Sequence, residues 1–140
     1  MRKKTFTIYV IDDDTAIRTA LKRLLRSVGY HALAFDSAEA FLECRLDHDE
    51  GCLVLDIHLP GMTGFELQET LSSQGAMVPF FFMTAHDNPQ WEERAEKAGA
   101  VAYLKKPFLE QQFFDAIERC HEKQISRNES RVESLYTGLR

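Results

Sequence analysis

Four short apolar runs, each ending in a polar or charged cluster, constrain this 140-residue chain more than any other feature. Ile8-Tyr9-Val10-Ile11 ends in Asp12-Asp13-Asp14, and Cys52-Leu53-Val54-Leu55 ends in Asp56. Phe80-Phe81-Phe82-Met83 ends in Thr84-Ala85, and Val101-Ala102-Tyr103-Leu104 ends in Lys105-Lys106-Pro107-Phe108. Near-continuous apolar runs of this length read as strands covered on both faces. The C-terminal edge of such strands is where open parallel α/β sheets bind ligands.

Helical spacing fills the gaps between the runs. Residues 6–11 read as a strand and 14–28 as a helix, with Ile17, Leu21, Leu24 or Leu25, and Val28 on one stripe. Gly29 stands where a left-handed C-terminal cap belongs. Residues 31–35 form a second strand. Ser37 caps a helix running to about Leu46, with Phe41 and Leu42 inward, and Asp47 to Gly51 form a polar loop. A helix from Gly64 to Ser73 turns Phe65, Leu67 and Leu71 inward. Asn88 and Pro89 open the next helix, which buries Trp91, Ala95 and Ala98. The fifth strand is 101–104. A last helix starts near Leu109 and buries Phe113, Ile117 and Cys120. Five β-α repeats with short connections predict a parallel sheet with right-handed crossovers and helices on both faces. The tail from 122 to 140 is polar. Ile125, Val132, Leu135 and Leu139 suit a narrow helical seam, with Asn128 in an intervening core position.

A net charge of −5 argues against non-specific nucleic-acid binding by this segment. Cys44, Cys52 and Cys120 are odd in number and lack C-x-x-C spacing, so they read as buried or incidental thiols in a reducing cytoplasm. No apolar stretch approaches the roughly 20 residues that span a bilayer, so no membrane partner is expected.

One carboxylate of the Asp12-Asp13-Asp14 cluster is explained as a helix N-cap, from Asp13 or Asp14. Three are not, nor is Asp56 if the first and third strands are neighbours. A hard divalent cation explains them, since magnesium takes oxygen ligands and keeps several waters. Asp13 and Asp56 are the expected direct ligands, Asp12 a direct or water-mediated one, and the His58 carbonyl a backbone ligand. Manganese would substitute. A carboxylate beside such an ion suits phosphoryl chemistry, with Asp56 as the nucleophile that forms an aspartyl phosphate. Lys106 would pair with one phosphoryl oxygen, and the Thr84 hydroxyl and Ala85 amide would bond another. A cis peptide before Pro107 would turn Lys106 into the site, although cis X-Pro bonds are uncommon.

In that order and spacing, the Asp-Asp pair, the acceptor followed by x-x-x-Pro-Gly-x-x-Gly, the Thr-Ala and the Lys-Pro-Phe make residues 6–121 resemble the receiver domain of a two-component response regulator. The resemblance implies a CheY-like, flavodoxin-like (βα)5 fold with strand order 2-1-3-4-5. By resemblance, Asp12 and Asp13 are the acidic pair, Asp56 the acceptor, Thr84 the switch hydroxyl and Lys106 the family's lysine, with Lys105 its neighbour. Tyr103 is the switch aromatic. Ser37-Ala38-Glu39-Ala40-Phe41-Leu42, Thr84-Ala85-His86 and Lys97-Ala98-Gly99-Ala100 resemble the FixJ-type subfamily.

The resemblance implies a sensor histidine kinase as phosphodonor, self-catalysed dephosphorylation rather than turnover as an enzyme, and an output through the surface of the fourth helix, fifth strand and fifth helix. Homodimerisation on phosphorylation is a further expectation, and segment 87–94 is more polar than the usual stretch of the FixJ-type subfamily. DNA would be reached only through an output domain absent from the chain. Residues 1–121 are then the receiver and 122–140 a helical linker. Its end, Leu135 to Arg140, resembles an interdomain linker, so either a cut-short chain or a natural receiver without an output domain is expected. His58 and His86, each two residues past a key position, are expected to set the phosphorylated lifetime and its pH dependence. Three rival readings stand beside this one. A haloacid-dehalogenase-type phosphatase would want Thr or Val where Ala16 stands. A flavodoxin-like module would not put three aspartates at a phosphate. A docking-only pseudo-receiver would not need the complete site.

Overall fold

The computed structural model describes residues 6–44, 50–86 and 88–138, and side chains as far as Glu129. Five strands alternate with five helices: β1 Thr7–Ile11, α1 Thr15–Ser27, β2 His31–Phe35, α2 Ala38–Glu43, β3 Gly51–Asp56, α3 Gly64–Ser73, β4 Phe80–Thr84, α4 Pro89–Lys97, β5 Tyr103–Lys105 and α5 Glu110–Gly138. The strands form one parallel sheet in the order β2-β1-β3-β4-β5. This is the doubly wound, flavodoxin-like order expected from the sequence.

The period-2 alternation of strands divides the core in two. Ile8, Val10, Cys52, Val54, Phe81 and Met83 face α1 and α5, where they meet Leu21, Leu25, Phe113, Ile117 and Cys120. Tyr9, Ile11, Leu53, Leu55, Phe80 and Phe82 face α2, α3 and α4, where they meet Phe41, Phe65, Leu67, Leu71 and Ala95. Each fully buried side chain of this size contributes roughly 1.5–3 kcal/mol, so both layers hold the strand ends rigidly.

Local chemistry sets the helix ends. Asp14, rather than Asp13, caps α1, accepting from the amides of Ala16 and Ile17. Thr63 and Glu66 form a reciprocal capping box at α3. Asn88 caps α4 with Pro89 in its first turn.

Several boundaries differ from the sequence reading. Val28 is 55% exposed instead of joining the α1 stripe. It occupies the C-cap, and the chain reverses through Gly29 at φ 92°, with Gly29 N–H donating to the Arg26 carbonyl and Tyr30 N–H to that of Leu25. β5 is displaced toward the C-terminus from the expected 101–104. Val101 already donates to the Phe80 carbonyl, but the regular ladder pairs Tyr103 with Phe82, Leu104 with Met83 and Lys105 with Thr84. β5 is an edge strand, so the exposed Lys105 side chain reaches water without leaving the ladder. α2 ends at Glu43, and Gly51 opens β3 instead of closing a loop. The rest of that expected loop, and Leu46, fall at 45–49, outside the described residues. Helix α5 runs from Glu110 to Gly138 without a break at 121/122. Within it Gln124 is buried and Ile125 is 48% exposed. Asn128 bonds polar groups, Gln124 and Glu50. The side chains of Val132, Leu135 and Leu139 lie outside the described ones.

Candidate functional site

Sheet register brings the acidic groups together. Ile11 pairs with Leu55, so Asp12 and Asp56 leave adjacent strands side by side. Asp56 in turn lies beside Met83, and Thr84 beside Lys105. Three main-chain bonds continue the ladder past the strand ends: Asp12 N–H to the Phe35 carbonyl (3.1 Å), Ile57 N–H to Met83 (3.0 Å) and Lys106 N–H to Thr84 (2.7 Å).

At this edge a carboxylate oxygen from each of Asp12, Asp13 and Asp56 lies within 4.8 Å of the other two. Asp12 is 0% and Asp56 5% exposed, whereas Asp13 is exposed. Lys106 reaches in from the end of β5. Its Nζ lies 2.6 Å from Asp12 Oδ2 and 3.2 Å from Asp56 Oδ2. The Lys106–Pro107 peptide is cis. The second oxygens are also engaged. Asp12 Oδ1 accepts the Asp14 amide (2.9 Å), and Asp56 Oδ1 accepts that of His58 (3.0 Å).

Burial, and next the negative charge of Asp12, push the Asp56 carboxyl up to about 6; Lys106 and the His58 amide pull in the other direction. Burial works against the charge of Lys106, but bonding to Asp12 and the field of Asp56 outweigh it and raise its pKa. Among the described residues one cation thus faces a cluster of three carboxylates, which leaves room for more positive charge. All the donors are hard oxygens, the set a small divalent ion takes. These residues fit magnesium.

Thr84 is fully buried. Its Oγ1 accepts the His86 amide and donates to the His86 carbonyl, both at 3.1 Å. Ala85 and His86 are exposed beside it. Tyr103 is half-buried on β5, packed on the core layer that holds Phe82. The His58 ring lies 4.3 Å from that of His86 and 4.8 Å from that of Trp91, centroid to centroid and edge-on. The structure therefore gathers Asp12, Asp13, Asp56 and Lys106 directly, and holds His58 and His86 in one ring cluster.

Three neighbours were not singled out for the site from the sequence. Arg18 donates to the Asp12 carbonyl at 2.8 Å; it lies off the apolar stripe of α1, and no spacing rule pairs it with Asp12. The Glu39 carboxylate accepts the Met62 amide at 3.0 Å in the loop after Asp56, and a Cβ on Gly61, itself at φ 76°, would push that carboxylate aside. Trp91 was read as core, and its contact with His58 depends on a loop conformation that no periodicity encodes.

The family model described as "Response regulator receiver domain" matches residues 8–118. The chain belongs to that family. Receiver domains of response regulators are signalling proteins, and they generally bind magnesium at an acidic aspartate cluster of the kind seen here. This receiver is 37% identical over 137 residues to Nodulation protein W of Bradyrhizobium diazoefficiens, covering 94% of the chain and 60% of that protein. It is 40% identical over 111 residues to the transcriptional regulatory protein FixJ of the same organism, covering 79% of the chain and 54% of FixJ. The solved structure of the response regulator StyR superposes with a TM-score of 0.81 at 40% identity, covering 98% of the chain and 72% of that structure. The chain thus spans just over half the length of FixJ and three fifths of Nodulation protein W. No helix among the described residues is long and apolar enough to cross a membrane.

Proposed function

We propose that this receiver is a phosphorylation-operated switch in which Asp56 accepts a phosphoryl group from the phosphohistidine of a sensor kinase. The observation that carries the reading is the joint placement of Asp12, Asp13 and Asp56 within 4.8 Å, with Lys106 bridging Asp12 and Asp56. Asp12, Asp13, Asp56 and the His58 carbonyl would hold magnesium, or manganese in its place. The bound ion supplies neutralisation of charge on the phosphoryl oxygens.

The chain's own groups do the rest. An Asp56 oxygen attacks phosphorus as the bond to the donor imidazole breaks, and the imidazole leaves with that electron pair. The Lys106 ammonium, freed from its bond to Asp56, pairs with a phosphoryl oxygen as a point charge. The Thr84 hydroxyl and the Ala85 amide bond another. Tyr103 follows Thr84 inward, and the α4-β5-α5 surface shifts between two populations. His58 and His86 flank the path of an attacking water and modulate the lifetime of the phosphorylated state. Hydrolysis of the acyl phosphate by the receiver itself resets the switch.

Residues 1–121 act as the receiver and 122–140 as a helical linker; the likeness to the transcriptional regulatory protein FixJ supports an output in transcription, and a helix-turn-helix output domain and dimerisation on phosphorylation are proposed with it from the family resemblance alone. The cytoplasm, where a histidine kinase presents its phosphohistidine, is the proposed location. Control of a protein partner by a stand-alone receiver is the second reading, since the α4-β5-α5 surface would serve either output.

Incubation with acetyl phosphate and magnesium, followed by intact mass and peptide mapping, tests the proposal. One phosphoryl adduct on Asp56 is expected, absent in Asp56→Asn. Unmodified wild-type protein, or steady turnover of small phosphate esters, would overturn it.

A further inference from the structure

We infer that His58 is a positioning residue that couples the candidate phosphoacceptor site to helix α4 through the ring of Trp91. This rests on the reading of Asp56 as the acceptor and adds a route by which its state reaches the surface.

His58 touches both sides. Its main-chain N–H donates to Asp56 Oδ1 at 3.0 Å, while its ring lies edge-on to His86 at 4.3 Å and to Trp91 at 4.8 Å. His86 is the residue whose main chain clasps Thr84. Its amide donates to the Thr84 hydroxyl, and that hydroxyl donates to its carbonyl. A hydroxyl has one proton to give, so Thr84 cannot donate to a phosphoryl oxygen without releasing the His86 carbonyl. Release frees the segment after β4 to shift, and the His86 ring shifts with it against that of His58.

Trp91 passes the change on. It stands in the first turn of α4, just after the Asn88 cap and Pro89. Farther along α4, Arg94 is tied to α3 by a 2.9 Å bond to Glu69 and by stacking 4.2 Å over the Phe65 ring. Besides the packing of Ala95 in the core, these contacts hold the helix against β3-α3, and of them the Trp91 contact adjoins the site. Loosening or re-seating that contact pivots the first turn of α4 about the Arg94 anchor. Aromatic edge contacts are directional, so a change in ring geometry alters the preference of α4 between discrete positions rather than bending it continuously.

Trp91 is the sole tryptophan of the chain, so its emission reports this contact without a label. The experiment uses the full 140-residue chain with acetyl phosphate and magnesium, reading emission and intact mass on the same samples. In the wild type, emission changes in proportion to the phosphoryl adduct. In His58→Ala, which keeps the main-chain amide and carbonyl, the response per adduct falls several-fold. His58→Phe, which restores an edge contact, recovers most of it. A merely structural role for His58 would move Tm and leave the response per adduct as in the wild type. That outcome overturns the inference, as does wild-type adduct formation with unchanged emission. Absence of any adduct in the wild type removes the phosphoacceptor reading itself, and the inference with it.

Discussion

The ammonium of Lys106 lies 3.2 Å from Oδ2 of Asp56 and is closer still, at 2.6 Å, to Asp12. One lysine from the edge strand therefore neutralises carboxylates from two central strands. Removing one partner of a buried ion pair leaves the others uncompensated, which costs several kcal/mol. In metal-free protein at pH 7, Lys106→Ala is expected to lose about 2–4 kcal/mol of folding stability by urea denaturation. The loss shrinks as pH falls and Asp56 takes up a proton. An unchanged midpoint at pH 7 would show that the bridge does not form in solution.

Asp56 itself destabilises the metal-free fold near neutrality. Burial raises its folded carboxyl to about 6 from an ordinary value of 3.8. Between these values the folded chain binds more proton than the unfolded chain, so the contribution of Asp56 is most favourable below the window and is lost as pH rises through about 6. At about 1.4 kcal/mol per unit, Asp56→Asn should stabilise metal-free protein at pH 7 by about 1–3 kcal/mol, with the difference vanishing toward pH 4. Urea titrations of both proteins from pH 4 to 7 measure this. A stability difference that does not grow with pH would refute the raised carboxyl.

Gly64 closes the loop that follows Asp56. A Cβ at this position would press into the Asp56 carbonyl and the Ile57 main chain, neither of which can swing aside as a side chain tip could. Gly64→Ala should cost more than about 2 kcal/mol. It should also weaken metal binding, because the loop carries the His58 carbonyl. Wild-type stability in the variant would mean that the loop has slack.

Much of the fold was legible because its signals are local and repeated. Short apolar runs such as Phe80–Met83, bounded by turn residues, read as strands covered on both faces, and Ser37, Asn88-Pro89 and Gly29 punctuate the helices. Polar residues at successive strand ends could be assigned to one sheet edge before any coordinates. Legibility failed where tertiary context overrides pattern. Val28 fits a helical stripe but lands on a cap, and Lys105 extends a strand because an edge position tolerates its charge. The rotation of α5 against the sheet buries the polar Gln124 beside a half-exposed Ile125, which residue type alone does not foretell. Within the site, the carboxylates and lysine were readable from type and spacing. The contacts of Arg18, Glu39 and Trp91 were not, since each joins segments whose approach is set by loop conformation.

On the proposed reading, the crowded carboxylates at the β1 and β3 ends are held ready for a small divalent ion. Calorimetric titration of the metal-free chain with magnesium tests it most directly. One ion per chain is expected, with binding abolished in Asp56→Asn. Asp13→Asn should weaken it severely while barely changing metal-free stability, because Asp13 is exposed. At a concentration 100 times Kd the ion should add about 2.7 kcal/mol to wild-type stability. Absence of measurable binding in the wild type, or equal binding by both variants, would contradict the account.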